Sequence, residues 1–233
     1  MPMLLRQIER IKRSKMMDTL LVATSIDPTD DYLENLCRDN GLACYRGSLN
    51  DVLDRFYHAA KPFKPDHIVR LTGDCPLSDP ELIDQVISYH LEGGYDYTSN
   101  TVEPTYPDGL DVEVISYASL RLAWQEAILP SHREHVTAFV LQHPKRFSIG
   151  SYRSASDLSH LRWTVDEPAD FELISKIYEA LYTHNPAFST QDILAYLHDH
   201  PELMTLNLQH DRNAGYKTSL ARDAVLLRKK GHP

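Results

Sequence analysis

The spacing of hydrophobic and polar residues alternates between helical and strand periods through the first half of the chain. Leu4, Ile8 and Ile11 recur at steps of four and three, which is the stripe of an amphipathic helix. The β-branched run DTLLVATS follows at strand length. A helix-like stretch over residues 30–40 ends at Gly41, and LACYRG predicts the next strand. The chain therefore begins as helix, strand, helix, strand.

The same alternation continues. Ser48, followed three residues later by Asp51, resembles the N-cap of a helix whose apolar face is Val52, Leu53 and Phe56. HIVRLTGD then predicts a buried strand that ends in a turn. Asp79-Pro80-Glu81 predicts the start of a helix that runs to Glu92 and stops at Gly93-Gly94. The remaining pattern predicts strands in YDYTSN, DVEVISY, FSIGSY and LRWTV, and helices near 117–128, near 131–142 and from 168 onward.

Alternating strands and helices predict an α/β fold with a doubly wound, mainly parallel sheet. The length of 233 residues suits one large domain with an appendage, so we expect a domain over 1–200 and a C-terminal extension over 201–233. In such sheets ligands bind beyond the carboxyl ends of the strands. Residues directly after each strand are therefore the first candidates for a functional site.

Composition excludes some classes of partner. The chain has 24 basic and 33 acidic side chains, a formal net charge of -9, which disfavours nucleic acid and anionic membranes as main partners. Cys37, Cys44 and Cys75 share no C-x-x-C spacing, so they predict reduced thiols in a cytoplasmic protein rather than disulfides or a zinc site. The basic first segment lacks the apolar run of a signal peptide, and no stretch has the length of a membrane span.

Two aspartates follow predicted strands. Asp74 ends HIVRLTGD and Asp166 follows LRWTV, and two carboxylates at strand ends can hold a hard cation such as Mg²⁺. The alternative is that each aspartate caps the helix that follows it.

Polar residues elsewhere also attract interest. The loop TYPDGLDVEV carries Asp108, Asp111 and Glu113, and strand alternation turns the last two to one face, where they suit a polar ligand or else protect an edge strand from aggregation. Arg70 lies inside an apolar strand, so it needs an anionic partner, either a ligand or a core carboxylate. His132 and His135 fit a surface or substrate-contacting pair better than a metal site. No glycine-rich phosphate loop is present in the sequence.

Five segments together resemble one family. NDVLDRFYHAA, VRLTGDCPLSDPELID, YPDGLDVEV, REHVT and RWTVDEPADFELI are similar to the spore coat polysaccharide biosynthesis protein F group of the cytidylyltransferases, which are related to the enzymes that activate sialic acid and keto-deoxy-octulosonate. The similarity runs from the first residues to Tyr182, and the tail NLQHDRNAGYKTS resembles the group's C-terminal segment.

The resemblance implies a nucleotide-diphospho-sugar transferase fold and transfer of CMP from CTP to a sugar, expected to be acidic, for surface polysaccharide. It also implies a homodimer and a Mg²⁺ ion bound by Asp74 and Asp166 as the catalytic residues. The ion would neutralise phosphate charge. By the same resemblance, Arg55 and Arg70 are expected at the nucleotide phosphates. The residues expected around the sugar are Tyr106, Asp108, Asp111, Glu113, Arg133 and His135.

One feature of the group has no counterpart here. Its members begin with a strand and a Gly- and Arg-containing loop that grips the nucleotide, whereas Met1-Pro2-Met3-Leu4 resembles the stretch after that loop. We therefore expect the working enzyme to have a longer chain that begins upstream. Two alternatives remain open: a non-catalytic sugar-binding remnant or partner subunit, and a glycosyltransferase that uses a ready-made nucleotide sugar.

Overall fold

The computed structural model describes residues 1–207, 212 and 214–229, with side chains of the last helix described at 218–225. Six strands lie in the described part of the chain: β1 Leu21–Ser25, β2 Ala43–Gly47, β3 His67–Arg70, β4 Tyr97–Ser99, β5 Glu113–Ser116 and β6 Ile149–Ser151. The helices there are α1 Met3–Ile11, α2 Asp31–Asp39, α3 Val52–Ala60, α4 Pro80–Gly93, α5 Tyr117–Glu126, α6 Pro130–Glu134, α7 Ala138–Leu141, α8 Pro168–Leu181, α9 Thr190–Asp199 and α10 Ala214–Lys229.

The strands form two sheets. β1 and β2 pair in parallel, and a four-stranded sheet has the order β3-β5-β4-β6. β4 and β6 are parallel, whereas β5 runs antiparallel to both of its neighbours. The predicted α/β fold with parallel strand pairs is confirmed, and β5 is the antiparallel member within it. β5 is therefore a central strand of its sheet.

Helices cover both faces of the four-stranded sheet. Val114 and Ile115, neighbours on β5, belong to different hydrophobic cores, because successive residues of a strand point to opposite faces. The core on the Val114 face contains Ile83 of α4 and Ile177 of α8. The core on the Ile115 face contains residues of α3, α5 and α7. This two-sided packing is the doubly wound arrangement expected from the sequence.

Helix ends follow local capping chemistry, with one correction. Asp79 caps α4 as predicted, accepting from the backbone N–H of Glu81 at 2.9 Å. The cap of α3 is Asp51, which accepts from the N–H of Asp54 at 2.9 Å, so the prediction of a cap at Ser48 is wrong. The Ser48 hydroxyl instead accepts from the Asp51 N–H at 3.1 Å, one turn earlier.

Two predicted elements differ from the structure. LRWTV is an extended segment whose pairing is a single parallel bridge between Asp108 and Arg162, because it lies against a turn rather than against a strand. The helix predicted over 131–142 is broken into α6 and α7 at Val136, where φ is +26°. The break lets Thr137 bond inward to the central strand. None of the helices in the described part of the chain combines the length and apolar character needed to cross a bilayer.

Candidate active site

The turns that carry Asp74 and Asp166 touch each other. The Val165 N–H donates to the Asp74 backbone oxygen at 2.9 Å, and the Thr164 hydroxyl lies 3.4 Å from the same oxygen. Asp74 is half-buried and Asp166 is exposed. The structure therefore brings the two turns that carry these aspartates into contact.

Neither aspartate caps a helix. α4 is capped by Asp79, and α8 has Glu167 as its N-cap, with Asp170 completing a capping box. The capping alternative for Asp74 and Asp166 is therefore wrong. Their carboxylates remain available for chemistry rather than for helix initiation.

Arg162 is the hub of a carboxylate network beside these turns, here called the Arg162 network. Its guanidinium lies 3.3 Å from Asp108, 2.7 Å from Asp166 and 2.8 Å from Asp170, and only 9% of its side chain is exposed. Sequence reasoning missed Arg162. The signal was the one used for Arg70: an arginine between the apolar residues Leu161 and Trp163 needs anionic partners when it is buried.

Asp170 anchors the Arg162 network from the first turn of α8. It accepts hydrogen bonds from Arg162 at 2.9 and 2.8 Å, from Asn207 at 2.8 Å, and from the backbone N–H groups of Asp166 and Glu167 at 3.1 and 3.0 Å. Burial opposes ionisation, but these hydrogen bonds outweigh it and lower the pKa of Asp170 to about 2. Asp170 is a permanent anion at neutral pH.

A tight turn at Gly109 brings the loop TYPDGLDVEV, here called the sugar loop, against the extended segment that contains Arg162. The Asp108 N–H donates to the Leu161 oxygen at 2.9 Å, and the Trp163 N–H donates back to the Asp108 oxygen at 2.5 Å. Gly109 has φ of +105°, and a Cβ there would lie 2.4 Å from the Thr164 nitrogen. Only glycine fits this close approach, which sets the position of Asp108 and Asp111.

Asp108 and Asp111 share a cation from the C-terminal part of the chain. Arg212 lies 2.6 Å from Asp111 and 3.6 Å from Asp108. Burial raises the pKa of Asp111 to about 7, Arg212 opposes that rise, and the charges of Asp108, Glu113 and Asp74 add to it. Burial likewise raises the pKa of Asp108, against Arg212 and Arg162. Asp111 is therefore a carboxylate that titrates near neutral pH.

Glu113 and Arg70 form a buried ion pair across β5 and β3. The hydroxyls of Tyr97 and Thr137 each donate to Glu113 at 2.7 Å. Burial opposes the ionisation of Glu113, but Arg70 and these two donors lower its pKa. Because β5 is central, the edge-strand alternative for Glu113 is wrong, and the core-carboxylate alternative for Arg70 is confirmed.

Three predicted arginines either make structural contacts or carry a nitrogen without a hydrogen-bond partner among the described residues. Arg55 donates to the Ser48 oxygen at 3.1 Å. The Nε atoms of Arg55 and Arg70 are buried without a hydrogen-bond partner among the described residues. Arg133 instead binds Asp51 at 2.6 Å and the Trp124 oxygen at 2.9 Å, which ties α6 to α3 and α5. Its role at the sugar stays a prediction.

The other two residues assigned to the sugar, Tyr106 and His135, contact different parts of the fold. Tyr106 precedes the turn, and its ring stacks on Tyr152 with the centroids 6.2 Å apart. His135 bonds Ser219 of α10 at 3.0 Å; burial lowers its pKa, and Arg70 and Glu113 lie within electrostatic reach. His132 bonds Gln142 at 2.9 Å rather than sharing a ligand with His135.

The donor set at the two turns fits magnesium. Among the described residues there is no group of three or more His, Cys, Asp or Glu side chains suited to a metal ion. Mg²⁺ needs fewer, since it takes one or two carboxylates and completes its octahedron with water and phosphate oxygens. Asp74 and Asp166 offer that hard-oxygen set, and Arg162 is the present partner of Asp166.

Comparison with known proteins identifies the family of this chain. The family model described as cytidylyltransferase matches residues 1–193. The chain belongs to the cytidylyltransferase family. This membership confirms the expected resemblance and the expected use of CTP by a nucleotidyltransferase.

Individual cytidylyltransferases and their relatives support the assignment. The spore coat polysaccharide biosynthesis protein SpsF of Bacillus subtilis is 33% identical over 205 residues, which are 85% of this chain and 84% of that protein. A solved cytidylyltransferase from Leptospira borgpetersenii superposes with a TM-score of 0.83 at 30% identity, covering 90% of this chain and 88% of the other. A CMP:2-keto-3-deoxy-manno-octonic acid synthetase complexed with CTP shares the fold, with a TM-score of 0.58 at 15% identity, over 77% and 89% of the two chains.

Proposed function

We propose that this cytidylyltransferase transfers CMP from CTP to a hydroxyl of an acidic sugar, with Mg²⁺ held by Asp74 and Asp166. The observation that carries the proposal is the contact between the two turns. Each turn bears an aspartate that does not cap a helix, and the sugar loop lies next to them. When bound, Mg²⁺ would neutralise phosphate charge and stabilise the departing pyrophosphate. Arg55 and Arg70 are further proposed as contacts for the nucleotide or its phosphates.

The reaction balances with the groups of this site. The sugar hydroxyl oxygen forms a bond to the α-phosphorus, and the bond from that phosphorus to the oxygen bridging to the β-phosphate breaks, so pyrophosphate leaves. The hydroxyl proton goes to a carboxylate oxygen of Asp111, whose pKa of about 7 suits a general base at neutral pH. Tyr106, Asp108 and His135 surround the sugar.

The finer assignment concerns pathway and assembly. One relative is named for spore coat polysaccharide biosynthesis and another for a keto-deoxy sugar acid, and both support an acidic sugar and surface polysaccharide as the setting. We further propose a cytoplasmic homodimer. Gel filtration with light scattering at micromolar concentration tests the dimer, and a monomer mass would contradict it.

The test of the reaction is pyrophosphate release from CTP and Mg²⁺ with a panel of acidic sugars. Asp74→Asn and Asp166→Asn should each lower the rate at least about a hundredfold, because each removes a charged metal ligand, while circular dichroism stays unchanged. Asp157→Asn is the matched control, since Asp157 is an exposed carboxylate that bonds only its own turn at Ser159.

Three outcomes would contradict the proposal. Wild-type rates in both site variants would remove the metal role of Asp74 and Asp166. Failure to bind CTP in the presence of Mg²⁺ would favour a sugar-binding remnant or partner subunit. Release of a nucleoside mono- or diphosphate from a nucleotide sugar would favour a glycosyltransferase.

A further inference from the structure

Three polar side chains that follow the family-matched region reach back into the site. Asn207, 2% exposed, donates to the Arg162 oxygen at 3.0 Å and to Asp170 at 2.8 Å. The Ser219 hydroxyl bonds His135 at 3.0 Å. Arg212 binds the loop that carries Asp111. The family model ends at residue 193, so these contacts lie outside the part of the chain that it describes.

Arg212 makes the most direct contacts of the three. Its guanidinium donates to the Tyr106 backbone oxygen at 3.2 Å and to the Asp111 carboxylate at 2.6 Å, and it lies 3.6 Å from Asp108. These partners stand before, within and after the turn at Gly109. The rigid, planar guanidinium of Arg212 therefore contacts both ends of the turn.

The loop needs such a cation for electrostatic reasons. Asp108 and Asp111 are partly buried and lie within electrostatic reach of each other and of Asp74. Like charges in a partly desolvated site repel each other and favour a different loop conformation or proton uptake. Arg212 is 17% exposed, so solvent screens its ion pairs only partly.

We propose that Arg212 is a positioning residue for the sugar side of the active site, holding Asp108 and Asp111 in the geometry that receives the sugar. The C-terminal segment thereby completes the site instead of forming a separate appendage. This inference rests on the proposed function for the identity of the ligand. The loop contacts on which it depends do not require that function.

Steady-state kinetics test the role in catalysis. In Arg212→Ala the KM for the best acidic sugar of the panel should rise about tenfold to a hundredfold, because misplacing a binding loop weakens binding by that order, while the KM for CTP stays within about twofold. Arg212→Lys should recover part of the loss, since it keeps the charge without the fork. Arg222→Ala is the matched control: Arg222 lies in α10, 66% exposed, and pairs weakly with Glu134 at 4.0 Å.

Hydrogen–deuterium exchange gives a readout that does not depend on turnover. Peptides over residues 105–112 should exchange faster in Arg212→Ala, near wild type in Arg212→Lys, and as wild type in Arg222→Ala, with β5 unchanged in all three. Exchange that is unchanged over 105–112, or that rises equally throughout the protein, would overturn the positioning role. A wild-type protein that releases no pyrophosphate with any sugar would count against the proposed function alone, because the exchange result stands by itself. Equal rises of the KM for CTP and the KM for the sugar in Arg212→Ala would also overturn the positioning role of Arg212.

Discussion

Removing the charge of Asp170 should weaken the whole Arg162 network. Asp170 is fully buried and accepts five hydrogen bonds, two of them from Arg162. Asp170→Asn keeps the shape of the side chain but replaces the charged carboxylate by a neutral amide. The Arg162 guanidinium then faces either an NH₂ donor or an uncharged oxygen. Breaking a buried pair costs about 3–5 kcal/mol. Arg162 keeps Asp166 and Asp108, so we expect about 3 kcal/mol.

The pH dependence gives an independent magnitude. The pKa of Asp170 falls from its ordinary 3.8 to about 2 in the fold. At about 1.4 kcal/mol per unit, the ionised carboxylate stabilises the folded protein by about 2 kcal/mol. Because the folded pKa is depressed, this stability is fully present above about pH 4 and is lost as the pH falls toward 2. The direction agrees with the mutational estimate.

Urea denaturation followed by tryptophan fluorescence measures both effects. At pH 7 the free energy of unfolding should fall by about 3 kcal/mol in Asp170→Asn and should stay near the wild-type value in the exposed control Asp157→Asn. The difference between wild type and Asp170→Asn should shrink as the pH falls from 5 toward 3. Equal stabilities of the two variants at pH 7, or a difference that does not change with pH, would refute the reasoning.

Three further predictions concern the sugar loop. The wild-type kcat/KM should show an acid limb from protonation of Asp111, and Asp111→Asn should be slow and lack that limb. A limb retained in that variant would remove Asp111 as the base. The pKa of Asp111 is raised above 3.8 in the folded protein, so the stability that its protonated form contributes is lost as the pH rises through 7. The free energy of unfolding should therefore fall less between pH 6 and pH 8 in Asp111→Asn than in wild type. Gly109→Ala should lower the free energy of unfolding by at least about 2 kcal/mol in urea denaturation, because its Cβ would lie 2.4 Å from backbone atoms. Gly41→Ala is the control: its φ is +64° in open space, and the expected loss is about 1 kcal/mol. Equal losses would show that the close approach at Gly109 does not matter.

Local signals in the sequence were sufficient for most elements. Asp79-Pro80 starts α4 and Gly94, with φ of +61°, ends it, because capping and left-handed glycine act within a few residues. The prediction failed where distant segments decide the conformation. LRWTV has the composition of a strand, but the Gly109 turn lies where a partner strand would pair.

Candidate chemistry divides along the same line. Asp74 and Asp166 were candidates because each follows a predicted strand, and their metal role stays a prediction, since LRWTV forms a single bridge rather than a strand. Asp170 looked like an ordinary residue of a helical first turn, and Arg212 like one charge in a polar tail. Their roles depend on partners 8 and 101 residues away in the chain.

The amino-acid sequence by itself determined the α/β class, most helix and strand positions, and the residue types that support transfer chemistry, because periodicity, capping and motif order are local properties. Only the tertiary structure decided how those charges are paired. Desolvation raises the pKa of Asp111, which pairs with Arg212, whereas five hydrogen bonds keep Asp170 ionised although it is fully buried. Pairing and desolvation depend on segments that are distant in the chain, and folding alone brings them together.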